Sequence, residues 1–110
     1  DDFVITGMIS KDNGACSLIL AQYDQGALIY RGHVTLGVSS AMLSGQTSTR
    51  GRCPFHPLPA GNEHALWFDP FLVGTVRFMH FMTGGGLRQP VFKGFREDKR
   101  PEECVVKERE

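Results

Sequence analysis

The chain is expected to fold as an all-β domain whose five strands close into a small barrel. Three observations predict it. Apolar runs of strand length, rich in β-branched and aromatic residues, recur along the chain. Turns containing glycine, asparagine or proline separate them, with little sign of helical periodicity. The 110 residues suffice for one domain core and not for two. Five strands with a longer excursion between the third and fourth fit an OB-type Greek-key barrel, and an SH3-like barrel fits the spacing nearly as well.

Each element has its own local signature. Phe3 to Ser10 and Ala15 to Tyr23 are apolar strands around Lys11-Asp12-Asn13-Gly14, whose Asn-Gly pair takes the positive φ angles of a tight turn. A second turn at Asp24-Gln25-Gly26 leads into a third strand from Ala27 to Leu36. Ser39 is placed to cap a short helix through Leu43 that Gly45 ends. From Gln46 to Asn62 the chain is polar and broken by Pro54, Pro57 and Pro59, which predicts a long loop. The fourth strand is expected to enter at Leu66-Trp67-Phe68, break at Asp69-Pro70 and continue from Leu72 to Met82. Gly84-Gly85-Gly86 reverses the chain into a fifth strand from Leu87 to Phe95. There, alternation sets Leu87, Val91 and Phe95 on one face and Arg88, Pro90 and Phe92 on the other. Pro101 followed by Glu102 and Glu103 suits the start of a short C-terminal helix. The domain is drawn at residues 1–106, with a flexible charged tail at 107–110.

Composition narrows the function classes. With 41% hydrophobic and 22% charged residues and a formal net charge of zero, the chain has the make-up of an ordinary globular domain and no global attraction to nucleic acid. Binding of DNA by this piece alone is expected to be weak. Three irregularly spaced cysteines, Cys16, Cys53 and Cys104, fit reduced thiols and a cytoplasmic compartment better than a disulfide framework. No stretch is long enough for a membrane span, and Asp1-Asp2-Phe3-Val4 lacks both the basic flank of a signal peptide and a methionine, as expected of a domain within a larger reading frame. Cys53, His56 and His64 lack the paired spacing of a zinc site. The aromatics Phe78, Phe81, Phe92 and Phe95 are read as barrel packing, not as platforms for bases. Arg31 and His33 on the third strand and Arg77 on the fourth are candidates to meet DNA phosphates.

The most specific segment runs from Leu87 to Glu103 and holds Arg96, Asp98 and Lys99 in an Arg-x-Asp-Lys string. Such a string alone is a solvated charge cluster. Here a glycine-closed turn, the strand Pro90-Val91-Phe92 and the start Pro101-Glu102-Glu103 frame it, and the segment resembles the C-terminal motif VI of ATP-dependent DNA ligases. Asp2-Phe3-Val4-Ile5-Thr6-Gly7, Ser17-Leu18-Ile19-Leu20, Tyr30 to Gly37 and Trp67 to Val73 resemble successive parts of the ligase OB domain. The likeness is greatest to bacterial end-joining ligases and weakest between Gln46 and Asn62.

The resemblance implies an OB barrel and a share in an enzyme, an ATP-dependent DNA ligase of DNA repair, bacterial and nucleoid-associated. ATP and magnesium would be bound mainly by an adenylation domain of the same polypeptide. The substrate would be nicked double-stranded DNA, and the protein a monomer. It implies that Arg96 and Lys99 orient the β- and γ-phosphates of ATP during lysine adenylation. Expelling pyrophosphate requires positioned cations, and Asp98 would orient them, since a carboxylate turned directly on phosphate repels it. Lys11-Asp12-Asn13-Gly14 is similar to the adenylated Lys-x-Asp-Gly tetrad, but Asn13 stands in place of the aspartate and the segment reads as a turn, so the isolated domain is expected to be inactive. Two other functions compete: the OB domain of an RNA ligase or capping nucleotidyltransferase, and a free-standing module for single strands. Neutral charge argues against the last.

Overall fold

A computed structural model describes residues 1–10, 16–38, 49–55, 61–83 and 86–106, with the backbone alone at 49–50 and 69–70. It contains six strands: β1 (Asp2–Ser10), β2 (Cys16–Asp24), β3 (Ala27–Val34), β4 (Thr49–Arg50), β5 (Leu66–Arg77) and β6 (Val91–Phe95). All strand pairs are antiparallel, β2 lying between β3 and β1, and β1 between β2 and β5. β5 also pairs with β6 and with the two-residue β4. A parallel bridge between Leu36 and Val91, in which the Phe92 amide donates to the Leu36 carbonyl at 2.8 Å, joins the end of β3 to β6 and closes the ring β1-β2-β3-β6-β5. This is the five-stranded OB barrel, with β4 added on the outside of β5.

The barrel arises from strands apolar on both faces. Along β1, Phe3 and Ile5 point inward to a cluster with Leu18, Leu20, Val76 and Phe92. Val4, on the opposite face, is also fully buried, in a second cluster with Ala21, Val73 and Cys104. That outer cluster exists because the C-terminal segment folds back over the barrel. Tyr23 donates its amide to the Cys104 carbonyl at 2.7 Å, and the Val106 amide donates to the Tyr23 carbonyl at 2.9 Å. The turn after β2 uses positive φ at Gln25 (53°) and Gly26 (86°), as an Asp-Gln-Gly turn requires.

Three expectations are corrected. Asp69–Pro70 does not interrupt β5: β1 steps from Ile5 to Gly7 while β5 steps from Leu72 to Trp67, so the extra residues bulge outward and β4 pairs with them. The strand also ends at Arg77 and not Met82, although the Met79 and Arg88 amides continue a hairpin with Arg88 and His80. In the last strand, Leu87 and Phe92 lie in the same inner cluster and not on opposite faces, because Gln89 takes a positive φ of 52° and resets the alternation before β6 begins at Val91. The short C-terminal helix is present where expected, as a single 3-10 turn, Pro101–Glu103, whose Glu103 carboxylate accepts the Arg100 amide at 3.2 Å. The expected turn at Lys11–Gly14, the helix from Ser39 to Leu43, the glycines Gly84 and Gly85, and the tail 107–110 lie outside the described residues. Among the described residues no helix is long and apolar enough to cross a membrane.

The seam at Leu36 and Phe92 yields a test. Gly37 has a φ of 86°, and a Cβ there would overlap the Phe92 carbonyl oxygen, whereas Gly26, with the same φ, faces open space. Gly37→Ala is expected to destabilise the domain by at least ~2 kcal/mol in urea unfolding and Gly26→Ala by about 1 kcal/mol. Equal losses would mean that the seam is not tightly packed.

Candidate functional site

The charged string after β6 does not hang in solvent. The Arg96 amide donates to the Val73 carbonyl at 2.7 Å, pinning the chain against β5 as β6 ends. The 3-10 turn at Pro101 then holds the other end, with Cys104 buried against Val4 and Val73. Arg96 to Lys99 is thus a short loop clamped on both sides over the outer face of β1 and β5.

On that face stands Asp2, two residues before Val4 and therefore turned the same way. Its Oδ1 accepts the Thr75 hydroxyl at 2.6 Å, from the residue directly opposite on β5. Its Oδ2 accepts both Arg96 Nη1 and Lys99 Nζ, each at 2.9 Å. Arg96 also makes a forked pair with Asp98, Nε to Oδ1 at 3.1 Å and Nη2 to Oδ2 at 2.7 Å. Two cations thus meet two carboxylates, in unlike settings: the Asp2 side chain is 12% exposed and that of Asp98 70%. Lys99 is 18% and Arg96 39% exposed.

The protonation equilibria reflect this geometry. Burial by itself would raise the Asp2 pKa, but the hydrogen bonds from Thr75 and Lys99 and the charges of Lys99 and Arg96 outweigh it and bring the carboxyl from 3.8 down to about 2. Donation to Asp2 raises the Lys99 pKa above its ordinary value against the effect of burial. The bond from Arg96 lowers the Asp98 carboxyl. All four groups are charged at neutral pH. A hollow of about 190 Å³ opens beside them, lined in part by Phe71, Phe95, Glu97 and Pro101.

Arg96, Asp98 and Lys99 thus lie on one loop, with Asp98 paired to Arg96 and Lys99 held by Asp2. Asp2, on which two of them converge, is the residue that sequence reasoning missed. The signal was available: an acid on the same strand face as Val4 and Thr6, both buried, needs a cationic partner.

The strand cations are scattered. Arg31 is not on an exposed strand surface: it is 7% exposed, with its guanidinium 3.8 Å from the centre of the Phe81 ring. The Nε2 of His33 lies 2.8 Å from Asn62 Oδ1 and 3.1 Å from the Tyr30 hydroxyl, within a cluster in which Tyr30 meets Phe55 edge to face. Arg77 is exposed and lines a second hollow, of about 650 Å³, with Leu36, Met79, Gln89 and Lys93. Phe78, Phe81, Phe92 and Phe95 belong to or pack against the inner cluster. The Cys53 thiol donates to the Phe55 carbonyl at 3.3 Å; His56 lies outside the described residues, among which no group of His, Cys, Asp and Glu is arranged to hold a metal ion.

Comparison with known proteins gives a consistent result. Residues 11–99 match the family described as the ATP dependent DNA ligase C terminal region. The multifunctional non-homologous end joining protein LigD of Mycobacterium bovis is 31% identical over 102 residues, 86% of this chain and 13% of that protein. The LigD of Mycolicibacterium smegmatis is 44% identical over 54 residues, covering 47% of this chain and 7% of its own. The crystal structure of the ligase domain of M. tuberculosis LigD superposes with a TM-score of 0.79 at 30% identity, over 96% of this chain and 38% of that one. A mycobacterial DNA ligase D complexed with ATP and MES gives a TM-score of 0.72 at 30% identity, over 96% and 37%. The chain thus spans about an eighth of the length of the Mycobacterium bovis LigD that it matches.

The Asp2 cluster makes the domain sensitive to acid. Because its folded pKa is depressed, Asp2 contributes stability that is fully present above its ordinary pKa of 3.8 and is lost as pH falls towards 2. The contribution is at most about 2 kcal/mol, since Arg96 faces solvent in part. Asp2→Asn is expected to lose most of this at pH 7 and to show a smaller fall in unfolding free energy between pH 5 and pH 2. An unchanged pH profile would mean that other carboxylates govern acid unfolding.

Proposed function

This chain belongs to the family of ATP-dependent DNA ligase C-terminal regions, and from that premise we propose that it serves an ATP-dependent DNA ligase of bacterial end joining by supplying Arg96 and Lys99 to the triphosphate during lysine adenylation. One observation carries the reading: both cations converge on the same oxygen, Asp2 Oδ2, at 2.9 Å. Side chains that meet at one anionic oxygen are already arranged to meet another nearby. The guanidinium fork and the ammonium also have more N–H donors than these contacts use, which leaves some to point at phosphate.

ATP is the substrate here, and its reaction centre lies on the adenylation domain of the same polypeptide. When the domains close, Arg96 and Lys99 reach the β- and γ-phosphates, hold pyrophosphate in line with the bond that breaks, and neutralise the charge that develops on it. Asp98 keeps the guanidinium plane fixed until then. Magnesium accompanies the triphosphate in this scheme, and no step assigned to this domain passes through it. Once the adenylate has moved to the 5′ end of nicked DNA, the task of the two cations is over. The domain then contributes to the duplex through exposed cations, with Arg77 the leading candidate. Arg31 and His33, engaged within the fold by the Phe81 ring and by Asn62 and Tyr30, are set aside as direct phosphate contacts. The protein acts as a monomer, associated with the nucleoid through its DNA substrate.

In the full-length ligase, Arg96→Ala and Lys99→Ala are expected to slow single-turnover adenylation by roughly one to two powers of ten, corresponding to about 1.5–3 kcal/mol for a charge-assisted phosphate contact. Sealing of nicks already bearing a 5′ adenylate should be nearly unaffected. Equal impairment of both steps would remove the pyrophosphate role. Arg77→Ala is expected to weaken binding of nicked duplex uniformly across sequences and to reduce the salt dependence of log K by about one phosphate contact, measured by titration at several ionic strengths. No change in salt dependence would place the DNA contact elsewhere.

A further inference from the structure

We infer that Asp2, supported by Thr75, is a positioning residue for adenylation: its carboxylate sets the separation and direction of Arg96 and Lys99. The inference deepens the function proposed above and rests on it. The geometry is specific. Arg96 and Lys99 are three positions apart in a loop that has no regular structure, with a bend between them. Long cationic side chains on such a loop sample many rotamers and carry a large entropic cost to be fixed on a ligand. Here one oxygen, Oδ2, takes both cations at 2.9 Å, while the other, Oδ1, is tied by Thr75 at 2.6 Å to the neighbouring strand. The carboxylate cannot turn without breaking a contact, and its own position is set by the β1–β5 register that pairs Asp2 with Thr75. A rigid strand pair thereby holds the side chains of a loop in place.

Asp2 differs in this from Asp98. Asp98 lies on the same loop as the cations and moves with it, and it is largely exposed. An exposed pair of this kind is easily exchanged for another anion. Asp2 is mostly covered and comes from the opposite end of the chain, so it keeps its hold when phosphate approaches from the solvent side. Asp2 makes no contact with substrate in this scheme. It acts through Arg96 and Lys99.

The test uses the full-length ligase with Asp2→Asn, which keeps the side chain's shape, and Thr75→Val, which removes only the tether on Oδ1, both assayed well below their melting temperatures. Asp2→Asn is expected to lower the single-turnover adenylation rate at saturating ATP by about 10-fold and Thr75→Val by about 3-fold, with the loss confined to this step and absent from sealing of pre-adenylated nicks. In combination with Lys99→Ala, Asp2→Asn should add much less than its separate effect, because its action passes through that side chain. Three results would overturn the inference: a rate at or above that of the parent enzyme, which would make Asp2 a competitor of phosphate; equal losses in adenylation and sealing, which would make it merely structural; and full additivity with Lys99→Ala. If Arg96→Ala and Lys99→Ala themselves fail to separate the two steps, the proposed function falls first. If they separate them and Asp2→Asn does not, only the positioning role fails.

Discussion

The ion pairs between Asp2 and the two cations of the loop after β6 tie the beginning of the chain to its end, and most of the architecture can be read as meeting the demands of that contact. Asp2 and Arg96 are 94 positions apart. For them to meet, β1 must lie beside β5, β5 beside β6, and the segment after Lys99 must fold back on the barrel. Each condition has its own apolar reason: Phe3 and Ile5 fill the inner cluster, while Val4, Val73 and Cys104 form the outer one. The hydrophobic effect supplies the stability, and the charges inherit the geometry. The mostly covered Asp2 carboxylate is tolerated because two cations stand within hydrogen-bonding distance of it.

Closure of the barrel matters to the same contact. A β-sheet with free edges twists and frays, and its last strand would hold an adjoining loop poorly. Here the parallel bridge between Leu36 and Val91 fixes the start of β6, and the bond from the Arg96 amide to Val73 fixes its exit. The loop therefore begins from a strand held at both ends.

Much of this was legible in the sequence and some was not. The first three strands were, because β-rich runs interrupted in the sequence by short polar stretches containing Asn-Gly and Gln-Gly leave few alternatives. The Arg-x-Asp-Lys string stood out in the sequence because its flanks carried the same resemblance. The run through Asp69–Pro70 was misread as a break. Proline lacks an amide, but a bulge and a short partner strand accommodate it where a central ladder would not. The phase of the last strand was misread because alternation assumes an unbroken strand, and nothing marked Gln89 as taking a positive φ. Asp2 escaped because its importance lies in a pairing across nearly the whole chain. Periodicity reads local faces; it does not say which faces meet.

Under the proposed role, the charge arrangement bears on how a neutral domain would serve an anionic substrate. Arg31 sits over an aromatic ring and the two cations after β6 are paired with carboxylates, so at these three positions little free positive field is left to collect phosphate indiscriminately. Under the proposed role the cost of using Arg96 is set by its most exposed partner. The bond to Asp98, in solvent and screened by salt, contributes little and is readily replaced by a triphosphate carrying several charges. The bond to Asp2 is shielded and costs more to break. In that proposal an incoming phosphate would meet the guanidinium from the Asp98 side while Asp2 kept it aimed, and the two acids that neutralise the cations would divide the work: one would yield its place, and the other would keep the geometry.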